Sequence, residues 1–334
     1  MKDRVKVGVS YFGVRNPLHV AHDLYDMASN GIDFVVHTYT ENDMIFYHDT
    51  MVEIVQLSHK MGLEVYIDPW GVLGIFGGEA FSRFVARNRD ANQVFSNGET
   101  APAACPNNPK TVDYMMEWLE KAADTGADVV FFDEPHFSAR SDRWACRCEH
   151  CQRKFREMYG HDMPLELTDE VMEFRFQSIA EFLKKLAAKA KELGMRTAVC
   201  MLPREHEATH WETIFSMPEI DIVGTDPYWV PRKLTGEDVY HHVRKFSDMV
   251  MDLATRYGKE PQIWIQLFGI PSGQEGDIEI AVRAARDAGV ANLAAWSYRA
   301  TAYMSYIRSD DPEMAWATLL KAYRNAKKTH TIET

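Results

Sequence analysis

Gly126-Ala127-Asp128-Val129-Val130-Phe131-Phe132-Asp133-Glu134-Pro135-His136 is the stretch whose reading decides the fold. Its apolar run is short, β-branched and aromatic, with a glycine before it and a proline after, which is the pattern of a buried strand. Upstream, Pro109–Thr125 has the helical period and closes at Gly126. A glycine just past a helix, with a strand a few residues later, is the signature of an αβ connection.

The same unit recurs along the chain. Strands are expected at Val5–Phe12, Asp33–Tyr39, Glu64–Asp68, Asp128–Asp133, Arg196–Met201, Asp221–Thr225, Gln262–Leu267 and Asn292–Ser297. Amphipathic helices are expected at Thr50–Met61 before Gly62, Val171–Leu193 before Gly194, Asp238–Tyr257 before Gly258 and Asp277–Ala288 before Gly289, with a last helix at Pro312–Ala326. Eight strand–helix alternations predict an α/β fold, a single (β/α)8 TIM barrel over residues 1–334. A doubly wound sheet would place a glycine-rich turn after an early strand. The first strand instead runs into Tyr11-Phe12-Gly13-Val14-Arg15-Asn16-Pro17.

Composition agrees with a barrel enzyme. The 334 residues are 46% hydrophobic and 12% aromatic, enough for a sizeable core. A net charge of −12 without a basic cluster argues against nucleic acid and acidic membranes as partners. No stretch approaches the roughly twenty apolar residues of a membrane span. Met1-Lys2-Asp3-Arg4 leads straight to a strand with no apolar signal segment, so a cytoplasmic location is expected. Trp118, Met115 and Met116 on a helix read as core in preference to an interface, and a homo-oligomer stays open.

A barrel places its active site at the carboxyl ends of its strands. Those ends carry His37, Tyr39, Glu41, Asn42 and Asp43; Asp68 and Trp70; Asp133, Glu134 and His136; Arg204, Glu205, His206 and Glu207; Asp226, Tyr228 and Trp229; Gln266 and Phe268; and Trp296, Tyr298 and Arg299. Carboxylates mixed with aromatic rings suit a sugar, because rings stack on C–H faces while acids hold hydroxyls. A small carbohydrate substrate is expected, with no organic cofactor. The connection after the third strand, about Gly71 to Asn108, holds Gly77-Gly78 and reads as a long structureless binding loop. Loops 71–108 and 136–164 are expected to cap the carboxyl face.

Both loops carry cysteines. Cys146, Cys148 and Cys151 have C-x-C-x-x-C spacing, and Cys105 stands about forty residues upstream. Zinc favours a tetrahedron of thiolates, and a cytosolic chain keeps its thiols reduced, so a structural zinc joining the two loops is expected. Three closely spaced cysteines can also arise as ordinary core residues. His150 is an alternative ligand, and Cys200, in an apolar stretch, reads as a buried strand residue.

Cys105-Pro106-Asn107-Asn108-Pro109, a helix, a strand ending in Glu134, then the Cys146–Cys151 cluster with Phe155 and Tyr159-Gly160, resembles the family 42 β-galactosidases over about residues 100–160. The resemblance implies a glycoside hydrolase barrel with a four-cysteine zinc and Glu134 as acid/base. It also implies Asn before that Glu, and a nucleophilic Glu ending the seventh strand. Here Asp133 and Gln266 stand in those places.

Glycoside cleavage needs two carboxyls. Glu134 with Asp226 is one pairing. On the pattern of the retaining α-galactosidases and α-glucosidases, Asp133 would attack and Asp226 would protonate. Because successive strand residues point to opposite sides, Asp133 and Glu134 are expected not to share a role; Glu205, Glu207 and Asp68 are reserves. Two other functions remain open: a sugar-binding barrel without catalysis, and a metal-dependent sugar isomerase, epimerase or lyase using His37, Asp68, Glu134, His136 and His206.

Overall fold

The computed structural model describes residues 4–71, 73, 81–204, 208 and 210–328. Twelve strands are formed among them, and eight of these close the barrel. These are β1 (Lys6–Tyr11), β2 (Phe34–Thr38), β3 (Glu64–Asp68), β6 (Val129–Asp133), β9 (Arg196–Met201), β10 (Ile222–Thr225), β11 (Glu260–Gln266) and β12 (Asn292–Trp296). Each pairs in parallel with its neighbours, in the ring order β1-β12-β11-β10-β9-β6-β3-β2. They are the eight strands expected from sequence, with ends differing by at most two residues.

Along each strand, alternate residues face inward and outward. Phe34, Tyr66, Val129, Phe131, Ile222 and Trp264 fill the barrel, while Val35, Val65, Val130, Val223 and Ile263 pack under the helices. Two glycines make room. A Cβ on Gly8 would lie 2.2 Å from the Phe34 ring, and one on Gly224 would lie 2.4 Å from the Gln262 carbonyl oxygen. The amino end of the barrel is plugged by polar groups. Arg196 pairs with Glu64 and Glu260, Gln262 donates to Asn292, and Trp264 Nε1 donates to Gln262. Just outside this plug the amino end carries a cavity of about 1400 Å³ lined by Lys6, Glu260, Arg283 and Asn292.

The helices expected from sequence form, and Trp118 and Met115 are buried as expected. A further helix, Pro17–Ser29, links β1 to β2; Asn16 caps it by accepting from Leu18 N, and Pro17 sits at its start. The long loop after β3 is not structureless. It contains a short helix, Arg83–Arg87, and an antiparallel hairpin of β4 (Asn92–Val94) and β5 (Thr100–Ala104). Gly77-Gly78 lies outside the described residues. The loop after β6 likewise carries a hairpin, β7 (Ala139–Arg140) with β8 (Arg143–Trp144), and a helix, Glu149–Tyr159, stopped by Gly160 at φ +77°.

Candidate active site and metal centre

Four carboxyls gather at the carboxyl end of the barrel. Asp68 ends β3, Asp133 ends β6, Glu134 follows it, and Asp226 follows β10. Strand alternation would send Glu134 outward, but its backbone has φ +38°, which breaks the alternation. Asp133 and Glu134 therefore both act on the same neighbours: each raises the Asp226 carboxyl, and Glu134 raises Asp68 and Asp133.

Burial governs the protonation of the group. Asp68 is fully buried, and loss of water, reinforced by the Glu134 charge, pushes its carboxyl up to about 8 even though its Oδ1 accepts from Trp70 N at 2.8 Å. Asp226 is 4% exposed; burial, then the charge of Glu134 and a hydrogen bond with it, hold its carboxyl well above the usual range. Asp133 is raised in the same sense by burial, Asp68 and Glu134. Asp68 Oδ2 and Asp226 Oδ1 are buried without a protein partner. Below them lies Cys200, a buried strand residue as expected, whose thiol is pushed up by burial and then by the Asp226 charge.

Aromatic rings wall this acidic group. Phe12, Trp70 and Trp296 pack with ring centroids 4.6–5.4 Å apart, and Tyr228 meets Phe268 edge-on at 5.0 Å. Of the residues chosen from sequence, Asp68, Trp70, Asp133, Glu134, Asp226, Tyr228 and Trp296 come together here. His136 stands beside them, its Nδ1 donating to the Glu134 carbonyl at 2.6 Å.

The others do different work. His37 faces the helices, 1% exposed, with Nε2 on Ser58 Oγ at 2.8 Å; burial pushes its pKa down to about 3, so the ring is neutral. Tyr39 points the same way, its hydroxyl on His48 Nδ1. Glu41 accepts from the backbone N–H groups of Arg83 and Phe84 and from the Tyr114 hydroxyl, which makes it the anchor of the Arg83–Arg87 helix. The Asp43 carboxylate is held by Arg15. Tyr298 and Arg299 both reach Asp26 on the outer helix Pro17–Ser29, and Trp229 is buried in the outer packing layer.

Gln266 is committed as well. Its Oε1 accepts from Trp229 N and Val230 N at 2.9 and 3.1 Å, and its Nε2 donates to Phe268 O at 3.0 Å. The side chain thus clamps the loop after β10 to the end of β11. Glu205, His206 and Glu207 lie outside the described residues.

The Sγ atoms of Cys105, Cys146, Cys148 and Cys151 all lie within 4.8 Å of one another, the nearest pairs at 3.4 and 3.5 Å. Tetrahedral thiolate ligation at the usual zinc–sulfur length puts sulfurs about 3.8 Å apart, so the set fits such an ion, and no pair is bonded as a disulfide. Despite the charged residues around them in sequence, all four are buried. Val94 N and Cys148 N donate to Cys146 Sγ, and Asn107 Nδ2 donates to Cys151 Sγ, the kind of outer contact that settles thiolates. Around the cluster the two loops are sewn together by the Phe95–Ala145 bridge, by Arg147 N to Val94 O, and by Gln93, which accepts from Ser138 N and donates to Ala104 O. His150 is turned away, paired with Arg153. Among the described residues this is the only group of three or more His, Cys, Asp or Glu close enough to hold a metal ion. The metal-dependent set expected from sequence is split, because His37 faces the other side of its strand and His206 is not among the described residues.

No protein-family model matches the chain, and no curated protein matches it by sequence. Solved structures of glycoside hydrolase barrels share its fold. The β-amylase catalytic domain of Paenibacillus polymyxa is similar at TM-score 0.64 and 10% identity, covering 96% of this chain and 98% of that one. The endo-1,4-β-mannanase of Rhizomucor miehei is similar at TM-score 0.64 and 11% identity, over 98% and 95%. A GH5_18 protein of Streptomyces cattleya, in complex with GlcNAc, is similar at TM-score 0.63 and 12% identity, over 98% and 81%.

Proposed function

We propose that this chain is a glycosidase acting on a small glycoside or oligosaccharide at the carboxyl end of its barrel. The observation that carries this reading is the convergence of Asp68, Asp133, Glu134 and Asp226 beside the Phe12–Trp70–Trp296 wall. Glycoside hydrolase barrels among its structural neighbours support the same class of chemistry.

Glu134 is the general acid. Asp226, buried beside it and held well above the usual carboxylate range by burial, keeps a proton that can pass to Glu134. Asp226 is buried whereas Glu134 is partly exposed, so a substrate meets Glu134 and takes the proton there. Protonation of the glycosidic oxygen lets the leaving group depart as an alcohol. Asp68, fully buried, stands behind the site, and the aromatic wall stacks on the sugar ring.

The four cysteines would hold zinc in a closed site with no open position, so the ion's contribution is to fix the loops. On this reading segment 100–160 is kin to the four-cysteine segment of the family 42 β-galactosidases, and the reduced thiolates accord with a cytoplasmic setting. Among the described residues no helix is long and apolar enough to cross a membrane.

The test is hydrolysis of a panel of nitrophenyl glycosides in both anomeric series, with and without EDTA. Turnover that survives EDTA and falls about a hundredfold or more in Glu134→Gln is expected. Gln266, which removes the family's nucleophile, favours a second reading, a sugar-binding barrel without turnover. Sugar binding by calorimetry with no hydrolysis anywhere in the panel would replace the first reading with the second.

A further inference from the structure

The rings that wall the four carboxyls come from one arc of the barrel. Phe12 follows β1, Trp70 follows β3 and Trp296 ends β12, and these strands are consecutive in the ring with β2 among them. The connections on the same arc expose further rings: Phe46 and Tyr47 after β2, Phe81 after β3, and Tyr303 and Tyr306 after β12. Among the described residues, no exposed Phe, Tyr or Trp lies on the connections after β6, β9, β10 or β11. Exposed rings gathered on one side of a mouth mark a surface that a ligand covers. Tyr303 and Tyr306 are 92% and 91% exposed, yet their segment is held firmly. Gly269 N donates to Ile307 O at 2.7 Å, Asp310 N to Ile270 O at 3.0 Å and Ser309 Oγ to Leu267 O at 3.1 Å, which fixes the segment to the connection after β11. Met304, between the two tyrosines in the chain, packs on the cluster that contains Phe12 and Trp296. Arg299, Ala300, Thr301 and Tyr303 have φ between +47° and +65°, a conformation that is costly outside glycine and persists only where the surroundings enforce it. An anchored, strained segment thus presents two bare rings next to the aromatic wall.

We propose that Tyr303 and Tyr306 are outer stacking sites for sugars, and that the substrate is a linear oligosaccharide several units long, with its cleaved bond at Glu134 and its far end on these rings. This rests on the glycosidase reading and names its substrate class. The chemistry of the rings selects the ligand. A sugar presents an apolar C–H face and carries its hydroxyls around the edge, so it can lie flat on a phenol ring while its polar groups stay in water. Tyrosine supplies such a face with few rotamers to freeze, and its hydroxyl tip remains wet. A protein partner seated on the same rings would cover the mouth, because Met304 ties their segment to its wall, and would shut the substrate out. A monosaccharide glycoside fills the site beside Phe12, Trp70 and Trp296 and gains nothing from rings farther out. Stacking remote from the reacting bond acts alike on ground state and transition state, so it lowers KM and leaves kcat nearly unchanged.

The experiment uses the full chain, the variants Tyr303→Ala and Tyr306→Ala, and the double variant; both side chains are exposed, so the fold is kept. The probes are nitrophenyl monoglycosides and manno-, cello- and malto-oligosaccharides from disaccharide to hexasaccharide. Hydrolysis is followed on the active chain, and binding by calorimetry on Glu134→Gln. In one series kcat/KM and affinity should rise about tenfold or more from disaccharide to hexasaccharide. Each tyrosine variant should lose about three- to tenfold of kcat/KM on the hexasaccharide, through KM, and stay near wild type on the monoglycoside. No gain with length, or equal losses on monoglycoside and hexasaccharide, would overturn the proposal and leave the glycosidase reading standing. A wild-type dimer in sedimentation that the double variant breaks would also overturn it, by giving the rings to a second copy of the chain. Length-dependent binding that the tyrosine variants weaken, with no hydrolysis of any probe, would uphold the outer sites and strike the glycosidase reading.

Discussion

Asp68→Asn should make the protein more stable at neutral pH and flatten its stability profile. The wild-type carboxyl is buried and titrates at about 8, against 3.8 for an ordinary Asp. Its folded-state pKa is raised, so its contribution is fully present below the unfolded value and is lost as pH rises toward 8. Between those limits the unfolded chain holds no proton at this site and the folded chain holds one, a slope of about −1.4 kcal/mol per pH unit. From pH 5 to pH 7 the wild type should lose about 2.7 kcal/mol through this group. Asn cannot ionise, and its Oδ1 can still accept from Trp70 N, so the variant should lose almost none of it. A chain of this length has an unfolding entropy of roughly 0.7 kcal/mol per degree, so the Tm gap between variant and wild type should widen by about 4 °C between the two pH values. Denaturant unfolding at pH 5, 6 and 7 gives the free energies directly. Parallel profiles for the two proteins would show that Asp68 is ionised in the folded state, and the account of a proton-sharing carboxyl group would fall with it.

Four further outcomes follow from the geometry. Asp226→Asn should reduce turnover about a hundredfold or more with the fold intact, by removing the partner that shares a proton with Glu134; near-normal kinetics would exclude the pair. Cys148→Ser should drop zinc content from about one per chain toward zero and lower Tm, because a thiolate site short of one ligand binds poorly; wild-type protein without metal by elemental analysis would refute the staple. Gln266→Glu should create no stronger glycosidase, and it should destabilise by about 1–3 kcal/mol, since the donor to Phe268 O becomes an oxygen; a large gain in nitrophenyl glycoside turnover would mean that the position is poised for attack. Gly224→Ala should cost about 1–3 kcal/mol or more in urea unfolding, because its Cβ would meet the Gln262 carbonyl at 2.4 Å.

The barrel was legible because parallel strands are buried on both faces and read as apolar runs, and because glycine punctuates the helix ends. The Pro17–Ser29 helix was missed although Asn16-Pro17 is an ordinary helix start, and the hairpins in the loops were missed because strands of two to five residues leave no periodic trace. For the site, knowing which residues end the strands was not enough. His37, Tyr39 and Trp229 lie close to strand ends, but their side chains pack in the outer layer, and period-two counting from Phe34 and Val36 would have put His37 there. Glu41, Tyr298 and Arg299 carry the residue types of a sugar site and are engaged in capping and ion pairing, which only three-dimensional contacts reveal.

Counting by twos fails in the opposite direction at Glu134, and the reason lies in the residue after it. Glu134 N still donates to Cys200 O at 3.0 Å, continuing the β6–β9 ladder, but Pro135 has no N–H to carry that ladder further. The chain turns at Glu134 with φ +38°, a conformation that costs a non-glycine residue of order 1–3 kcal/mol and persists only where its surroundings enforce it. What the turn achieves is chemical: two consecutive carboxyls act on the same carboxyl neighbours. A barrel that keeps its acid on one strand and its nucleophile on another needs no such bend. This chain has given the β11 position to a backbone clamp and concentrates its acids on β3, β6 and β10. Strain at Glu134 and the surrender of Gln266 to the scaffold point the same way, toward a site organised to hold and deliver a proton.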